Sequence, residues 1–451
     1  MSSAATSPLV EALDAQAAAL AASEGERRAA LAFVDHENAI GLSHIRSAAR
    51  AAARTHGLPT SRQERWKHTA LRGLSARRFE APASHPPRDI DPSVLAEIPA
   101  PRLVIANGRY APALSDLHGL PEGLRLRLFS EVLRNAPEEA AAWLVTDTSR
   151  SDAAFQHWNG ALAEEGFVLE VEPGVQVTLP LHLVVLGIAD GAERAFHLRH
   201  RIALGAGAAL SIAKHHLGSG AHRHLLNTVL HIELGEAAAL TQTRIQRESD
   251  GATLLQHTLV SLGAHAHYRR LDLELGAGLS RHELDVVLAG DGAVLEANGV
   301  LLADGHRHQD TRLGIEHRAR NTRCTLLWRG LGSDRGRVVF HGGILITEGA
   351  DGTNASLSNK NLLLSDAAEI DSQPVLVIHA DDVQAAHGAT IGRLDESALF
   401  YLRARGLPKI EAVALLTAAF LRAPLRVLDD PALEQTLVAI LDARLAGEPS
   451  A

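Results

Sequence analysis

A short internal repeat between residues 204 and 295 constrains this chain more than any other feature. LGAGAAL (204–210), LGEAAAL (234–240), LGAHAHY (262–268), LGAGLSR (275–281) and AGDGAVL (289–295) recur at offsets of 30, 28, 13 and 14, which are one or two steps of roughly 14 residues. Each copy closes an alternating strand such as RIALG, HIELG, TLVSLG or LDLELG, places glycine and small residues where the chain must bend, and opens the next strand. A unit this short cannot cover its own apolar face, so the copies have to stack. Two architectures satisfy that demand: an antiparallel sandwich of hairpins, or a solenoid whose successive coils stack as parallel strands. The near-constant spacing and the small residues at each bend favour the solenoid.

The flanks read differently. Residues 8–56 are alanine-rich with apolar positions at helical spacing, and Gly57-Leu58-Pro59 ends that region. The polar segment SRQERWKHTALRGL (61–74) and the proline-rich 81–102 follow as an irregular connection, so residues 1–100 form a helical region with an extended exit. Asn107-Gly108 marks a turn between short strands, and a mixed helical interlude covers 130–166. The β core is expected over 101–385 and a helical domain over 386–451. In the latter, Asp395 caps DESALFYLRAR and Gly406 stops it, Pro408 opens PKIEAVALLTAAFLRA, and Asp430-Pro431 starts the last helix. The middle helix is apolar on more than one narrow stripe and must pack on two sides, or on its own domain and a partner.

Composition excludes several functions. The net charge of -9 is spread without single-sign runs, so no basic stripe exists to neutralise a nucleic-acid backbone. A single cysteine, Cys324, excludes an intramolecular disulfide and any multi-cysteine metal or cluster site built by one chain, and suits a reducing compartment. The start of the chain lacks the basic segment of a secretory signal, and no stretch approaches the ~20 uninterrupted apolar residues of a membrane span. A cytoplasmic protein without membrane partners is expected.

Signatures of familiar catalysis are missing: GxxxxGK[ST], HExxH, GxSxG and CxxC do not occur. GLGSDRGR (330–337) reads as a turn between the strands CTLLWRG and RVVFHGGILI, not a phosphate cradle, because no helix pattern follows. Asp381-Asp382 are neighbours that face opposite ways on a strand and cannot work as an acid/base pair. Cys324 lies in an alternating segment as a small half-buried hydrophobe. The 25 histidines include His222/His224, His265/His267 and His306/His308, two apart as a metal site on a strand face would need. A histidine-rich chain also places such pairs by chance. A histidine-based metal protein and a sugar-cleaving β-solenoid stay open as alternatives, the latter disfavoured by an aromatic content of 4% that leaves little for a carbohydrate platform.

The run ADDVQAAHGATIGRLDESALFYLRARGLPKIEAVALLTAAF (380–420) closely resembles the C-terminal signature of the SufB/SufD family, the core subunits of the Suf iron-sulfur cluster assembly machine. SRQERWKHTALRGL, IANGRYAPALS (105–115), LSRHELDVVLAGDGAVLEANGVLLADGHRHQDTRLGIEH (279–317), GRVVFHGGILI and NKNLLLSDAAEIDSQPVL support it, in order, from residue 60 to 425. Chain length and the early SRQERWKHT block are more similar to the SufD side of the family than to the SufB side.

The resemblance implies a mainly β fold with helical ends: a right-handed parallel β-helix core flanked by N-terminal and C-terminal helical regions. It implies a noncatalytic scaffold subunit that helps form or deliver a nascent cluster and supports iron acquisition. Its expected partners are a SufB-like subunit and a SufC-like ATPase, with a homodimer through the β-helix as a further assembly. No cofactor is expected to be tightly bound by the isolated chain, and an iron-sulfur cluster is expected at the SufB interface. The family histidine proposed to face that cluster corresponds to His387, making it the iron or cluster ligand expected here. Many relatives carry a cysteine two residues earlier, where this chain has Ala385. A bland role for His387, bonding a backbone carbonyl to shape a Gly-Ala-Thr turn, stands beside the ligand role. SufC docking is expected around Arg405, Gly406 and Phe420.

Overall fold

The computed structural model describes residues 7–30, 36–88, 90–428 and 430–446; residues 1–6 and 447–451, parts of the two expected helical regions, lie outside the described residues. From Phe167 to Gly392 the chain winds as a parallel solenoid, with successive strands passing alternately to a ten-stranded and a nine-stranded sheet. Within each sheet, a strand pairs in parallel with the strand one full coil later. Leu204, Leu234, Leu262 and Leu288 stand in register in this way. The repeat offsets of 30 and 28 are therefore whole coils, and the steps of 13 and 14 cross from one sheet to the other. The antiparallel sandwich is thereby excluded.

The corners explain the residue types of the repeat. Gly207, Ala237, His265 and Gly292 occupy successive copies of one corner, and all have positive φ, between 54° and 70°. The preceding glycines answer to crowding instead. A Cβ on Gly263 would lie 2.9 Å from the Leu234 carbonyl oxygen of the coil beside it, and one on Gly290 would collide with the Ala264 amide. Coil-to-coil spacing of about 4.8 Å leaves no room for a side chain there.

Inside the solenoid, inward positions stack leucine, isoleucine and valine from both sheets into one core that includes Ile202, Leu230, Val260, Val286 and Ile315. Each such side chain contributes about 1.5–3 kcal/mol by leaving water. Midway along, the inward positions turn polar. Arg270 donates from Nε to both Asp272 carboxylate oxygens at 2.9 Å and from Nη1 to the Tyr268 hydroxyl at 2.9 Å, while Arg244 pairs with Glu274. Lys214 is buried beside them, and burial together with Arg244 and Arg270 pushes its pKa well below the usual lysine value.

The outer faces take the helices. Pro8–Ala30 and His36–His56 join Trp66, Phe79, Phe155 and Trp158 in a core over Leu225 and Leu255 of the nine-stranded sheet. Phe129–Asn135, Pro137–Leu144 and Ala154–Leu162 form the expected interlude. The C-terminal helices cover the other sheet, where Leu421, Leu425, Leu437 and Leu441 pack on Leu271, Leu273 and Val300. Asp395 and Asp430 cap their helices through side-chain oxygens, and Gly406 adopts φ 93°, as the sequence implies. The expected boundary at 385/386 falls inside a strand, Val383–Gly392, because that segment pairs in register with Thr353–Leu363 before the first C-terminal helix begins at Glu396.

The two ends of the solenoid differ. At the N-terminal end the outermost strands are Arg109–Tyr110, two residues long, and Leu124–Leu128, five residues long; both pair antiparallel with their neighbours. Short edges of this kind resist pairing with another chain. At the C-terminal end the outermost strands are Glu369–Ile378 and Val383–Gly392, each ten residues long.

Gly290→Ala is expected to destabilise the protein by about 1–3 kcal/mol through overpacking between coils, read as a lower denaturant midpoint with unchanged slope. A second expectation concerns acid. Burial is the leading cause holding His224, His308, His317 and His341 at about 4 and His197, His215 and His231 at about 3, against an ordinary 6.5. Between pH 6.5 and 4 the unfolded chain binds protons that the folded chain refuses, so stability falls as pH falls, by up to about 1.4 kcal/mol per pH unit for each such histidine. Thermal melts from pH 7.5 down to 5 should show a monotonic loss of Tm, with net proton uptake on unfolding.

Candidate functional site

The open end is where backbone chemistry is left unfinished. A parallel sheet satisfies each strand's donors and acceptors from both sides, and here each last strand has a neighbour on one side only. Apolar side chains accompany the open edges: Val377, Ile378 and Ile391 are 41–47% exposed. Long, flat, partly apolar edges are what strand addition by a partner uses.

His387 lies in the middle of one of these edges. In register it pairs with Leu357, an inward residue of the solenoid core, so its side chain is on the lumen side of the sheet. Because no further coil covers that side, His387 is exposed, and its side chain makes no hydrogen bond or ion pair with any described residue. The Gly-Ala-Thr sequence after it is extended strand and forms no turn, which removes the turn-shaping role: the parallel ladder to Ser358, Asn359 and Lys360 dictates its conformation. Ala385 pairs with Ala355 and packs on the core, leaving His387 as the ligand-type side chain of this strand.

Below the opening lies a polar floor that sequence reasoning missed. Asn361 donates to the Asn359 side-chain oxygen at 2.6 Å and to the Thr390 carbonyl at 3.1 Å, and the Ser372 hydroxyl donates to the Asn359 oxygen at 2.7 Å. The signal was present in NKNLLL: two asparagines two apart on an alternating strand share the inward face.

The expected docking residues lie on the C-terminal helices. Arg405 closes the helix Glu396–Ala404 with its guanidinium 4.0 Å from the Tyr401 ring centroid, and Gly406 makes the left-handed turn that follows. Phe420 is half-buried, packed on the helical core beneath the Arg329 guanidinium. The free apolar surface belongs to Ile410 and Leu415 of the middle helix, already expected to be apolar on more than one stripe, and to Phe400 and Tyr401, which the sequence did not point to. Phe400 is 74% exposed and Ile410 84%, with Tyr401 and Leu415 also exposed. The helix Lys409–Leu421 buries Ala412, Thr417, Ala418 and Leu421 on one side and leaves Ile410 and Leu415 outward, which is why its sequence is apolar on more than one stripe.

Other candidates resolve into structural roles. Cys324 is fully buried in the core, and burial pushes its thiol up to about 12. His222 bonds Glu248 at 2.8 Å, His224 bonds the Ile188 carbonyl at 2.7 Å, His267 bonds Glu296 at 2.8 Å and His308 bonds Thr69 at 3.0 Å. His265 holds a positive-φ corner and His306 sits in a turn. Among the described residues no group of three or more histidine, cysteine, aspartate or glutamate side chains converges as a metal site. No helix among them is long and apolar enough to cross a membrane.

The described residues thus form a parallel solenoid with one end closed by short antiparallel strands, one open end carrying the exposed His387, and an apolar helical face. Residues 187–420 match the family described as SUF system FeS cluster assembly, SufBD core domain, and residues 28–183 match the SufBD protein N-terminal region. The chain is 31% identical over 394 residues to the iron-sulfur cluster assembly protein SufD of Escherichia coli, covering 87% of this chain and 90% of that protein. It is 30% identical to an iron-sulfur cluster assembly SufBD family protein of Synechocystis, covering 80% and 82% of the two chains. A SufBD family protein of Mycobacterium tuberculosis is also 30% identical, over 70% and 78%. The chain belongs to the SufB/SufD family, and these likenesses support its SufD side.

The buried thiol yields a direct check. Cys324 should resist a thiol-reactive disulfide reagent at pH 8 in the folded protein and react at one equivalent in denaturant; rapid labelling of the native chain would contradict its placement in the core.

Proposed function

We propose that this chain is a noncatalytic, cytoplasmic scaffold subunit of a Suf-type assembly complex that pairs with a SufB-like subunit through the open end of its solenoid. The observation that carries the reading is the pair of ten-residue edge strands, Glu369–Ile378 and Val383–Gly392, left uncovered with apolar residues beside them. Strands from the partner would continue both sheets, satisfy the free backbone groups and bury Val377, Ile378 and Ile391. A second copy of this chain would use the same edges, giving a homodimer in the partner's absence.

Pairing would bring His387 over the polar floor of Asn359, Asn361 and Ser372, at a buried joint between the chains. The cluster is cargo there. His387 offers one nitrogen ligand, and the thiolates must come from the partner, since Cys324 is locked in the core. The exposed face of Phe400, Ile410 and Leu415, with Arg405 and Gly406 at its border, suits docking of a SufC-like ATPase. Nucleotide-dependent closure of that ATPase would act on the joint only through a difference in its affinity for two states of the complex.

Co-expression with a SufB-like and a SufC-like partner tests these assignments separately. Ile391→Arg should weaken pairing with the SufB-like chain by about tenfold or more, as loss of a central apolar contact does. Ile410→Asp should spare pairing and cut ATPase binding. His387→Ala should leave the complex intact and lower the cluster formed in anaerobic reconstitution. Full pairing by Ile391→Arg would remove the open edge as the interface, and undiminished cluster in His387→Ala would remove the ligand role alone.

A further inference from the structure

The polar segment Glu64–Thr69 lies across the outer face of the nine-stranded sheet and roofs a cleft of about 250 Å³ lined by Lys67, His68, Arg312, His341, Ser372 and Gln373. Parallel register sets the row that builds it: Glu283, Arg312, His341 and Gln373 stand side by side on four successive strands. The next row along carries Gly314 and Gly343, which have no side chains to fill the space beside Arg312 and His341. A second hollow of about 410 Å³ opens there and shares Arg312 and His341 with the first.

Arg312 is the anomaly. Its side chain belongs to a residue only 5% exposed, yet it makes no hydrogen bond or ion pair with any described residue, and its Nε is buried without an acceptor. A buried guanidinium without acceptors is costly. Burial first, and then Arg281, push its pKa down to about 10 against the partial support of Asp310 and Glu283. The nearby carboxylates are engaged elsewhere. Asp371, which faces the cleft, is held by Arg337 at 2.8 Å and His68 at 3.2 Å. Glu283 and Asp310 pair with Arg281, Asp285 bonds His257 at 2.7 Å, and Glu64 takes the Gln373 amide at 3.2 Å. The Lys67 side chain, exposed at the rim, likewise makes no hydrogen bond or ion pair with a described residue, although the Glu64 carboxylate feels the charge of both Lys67 and Arg312.

We propose that this cleft binds a small oxyanion of the phosphate or carboxylate kind, held by the Arg312 guanidinium from below and the Lys67 ammonium from above. Arginine presents a planar fork that matches either anion, and lysine adds a point charge. The Gln373 amide supplies a further polar group at the wall, while the Ser372 hydroxyl is turned inward to Asn359. The site lies on the outer face of the nine-stranded sheet; Gln373 at its wall belongs to the open-edge strand Glu369–Ile378, whereas Arg312 and Lys67 do not, so binding is read on the chain without a partner.

Isothermal titration of the full chain with inorganic phosphate, and separately with succinate, tests it. Saturable binding of at least one is expected, and which one binds identifies the class. Arg312→Gln should weaken it by about tenfold or more, and Lys67→Gln by a smaller factor, since buried charge-assisted bonds outweigh rim charges. Arg318→Gln, which removes an exposed cation paired with Glu316 outside the cleft, should bind as the parent does. Because Lys67 is on the surface, its variant keeps the test open even where Arg312→Gln folds poorly. Absence of saturable binding for both anions, or affinity unchanged in Lys67→Gln together with a folded Arg312→Gln, would overturn the proposal.

Discussion

Each strand of the solenoid completes its backbone hydrogen bonds only through the coils on either side of it, and that constraint organises the rest of the molecule. It forces the in-register stack of Leu204, Leu234, Leu262 and Leu288, and it demands glycine wherever one corner closes on another. It also makes the two ends unavoidable problems. The N-terminal end answers with short antiparallel strands and helices, and the C-terminal end leaves two long strands bare. At that end two ten-residue strands keep a row of backbone donors and acceptors without a strand beside them among the described residues.

The outer faces carry a second division of labour. The C-terminal helices cover the ten-stranded sheet with leucines and leave their own far side apolar. The segment Glu64–Thr69 instead crosses the nine-stranded sheet with polar contacts: Arg65 pairs with Glu283, Thr69 donates to Asp310, His68 meets Asp371 and Glu64 takes the Gln373 amide. Trp66, with the Arg281 guanidinium 3.9 Å from its ring centroid, anchors the segment. One short stretch thus ties together three strands of the nine-stranded sheet, Leu279–Leu288, His308–His317 and Glu369–Ile378, which gives the SRQERWKHT block a structural purpose and creates the cleft over Arg312.

Much of this was legible in the chain. The 14-residue steps are half-coils, the aspartate caps and Gly406 mark the C-terminal helices where they occur, and GLGSDRGR is a turn at positive-φ Asp334. The misread element is His387-Gly388-Ala389-Thr390, expected as a turn although only its glycine and alanine are poor strand formers. Tertiary pairing with Leu357–Lys360 overrides that propensity. Histidine pairs two apart were equally ambiguous, since spacing on one strand says nothing about which carboxylate or carbonyl arrives from the neighbouring coil.

The sequence by itself therefore determined the periodicity, the stacked architecture, the helical ends, the family, and the fact that a lone cysteine cannot hold a cluster. Only the tertiary structure decided which strands remain at an edge, that His387 faces an uncovered lumen, that Cys324 is sealed in the core, and that Arg312 is buried without an acceptor. The physical reason is that periodicity is a local property, written in each residue's neighbours along the chain. Exposure, pairing and electrostatic satisfaction depend on residues about one coil away or much farther in sequence, as when Lys67 is brought over Arg312.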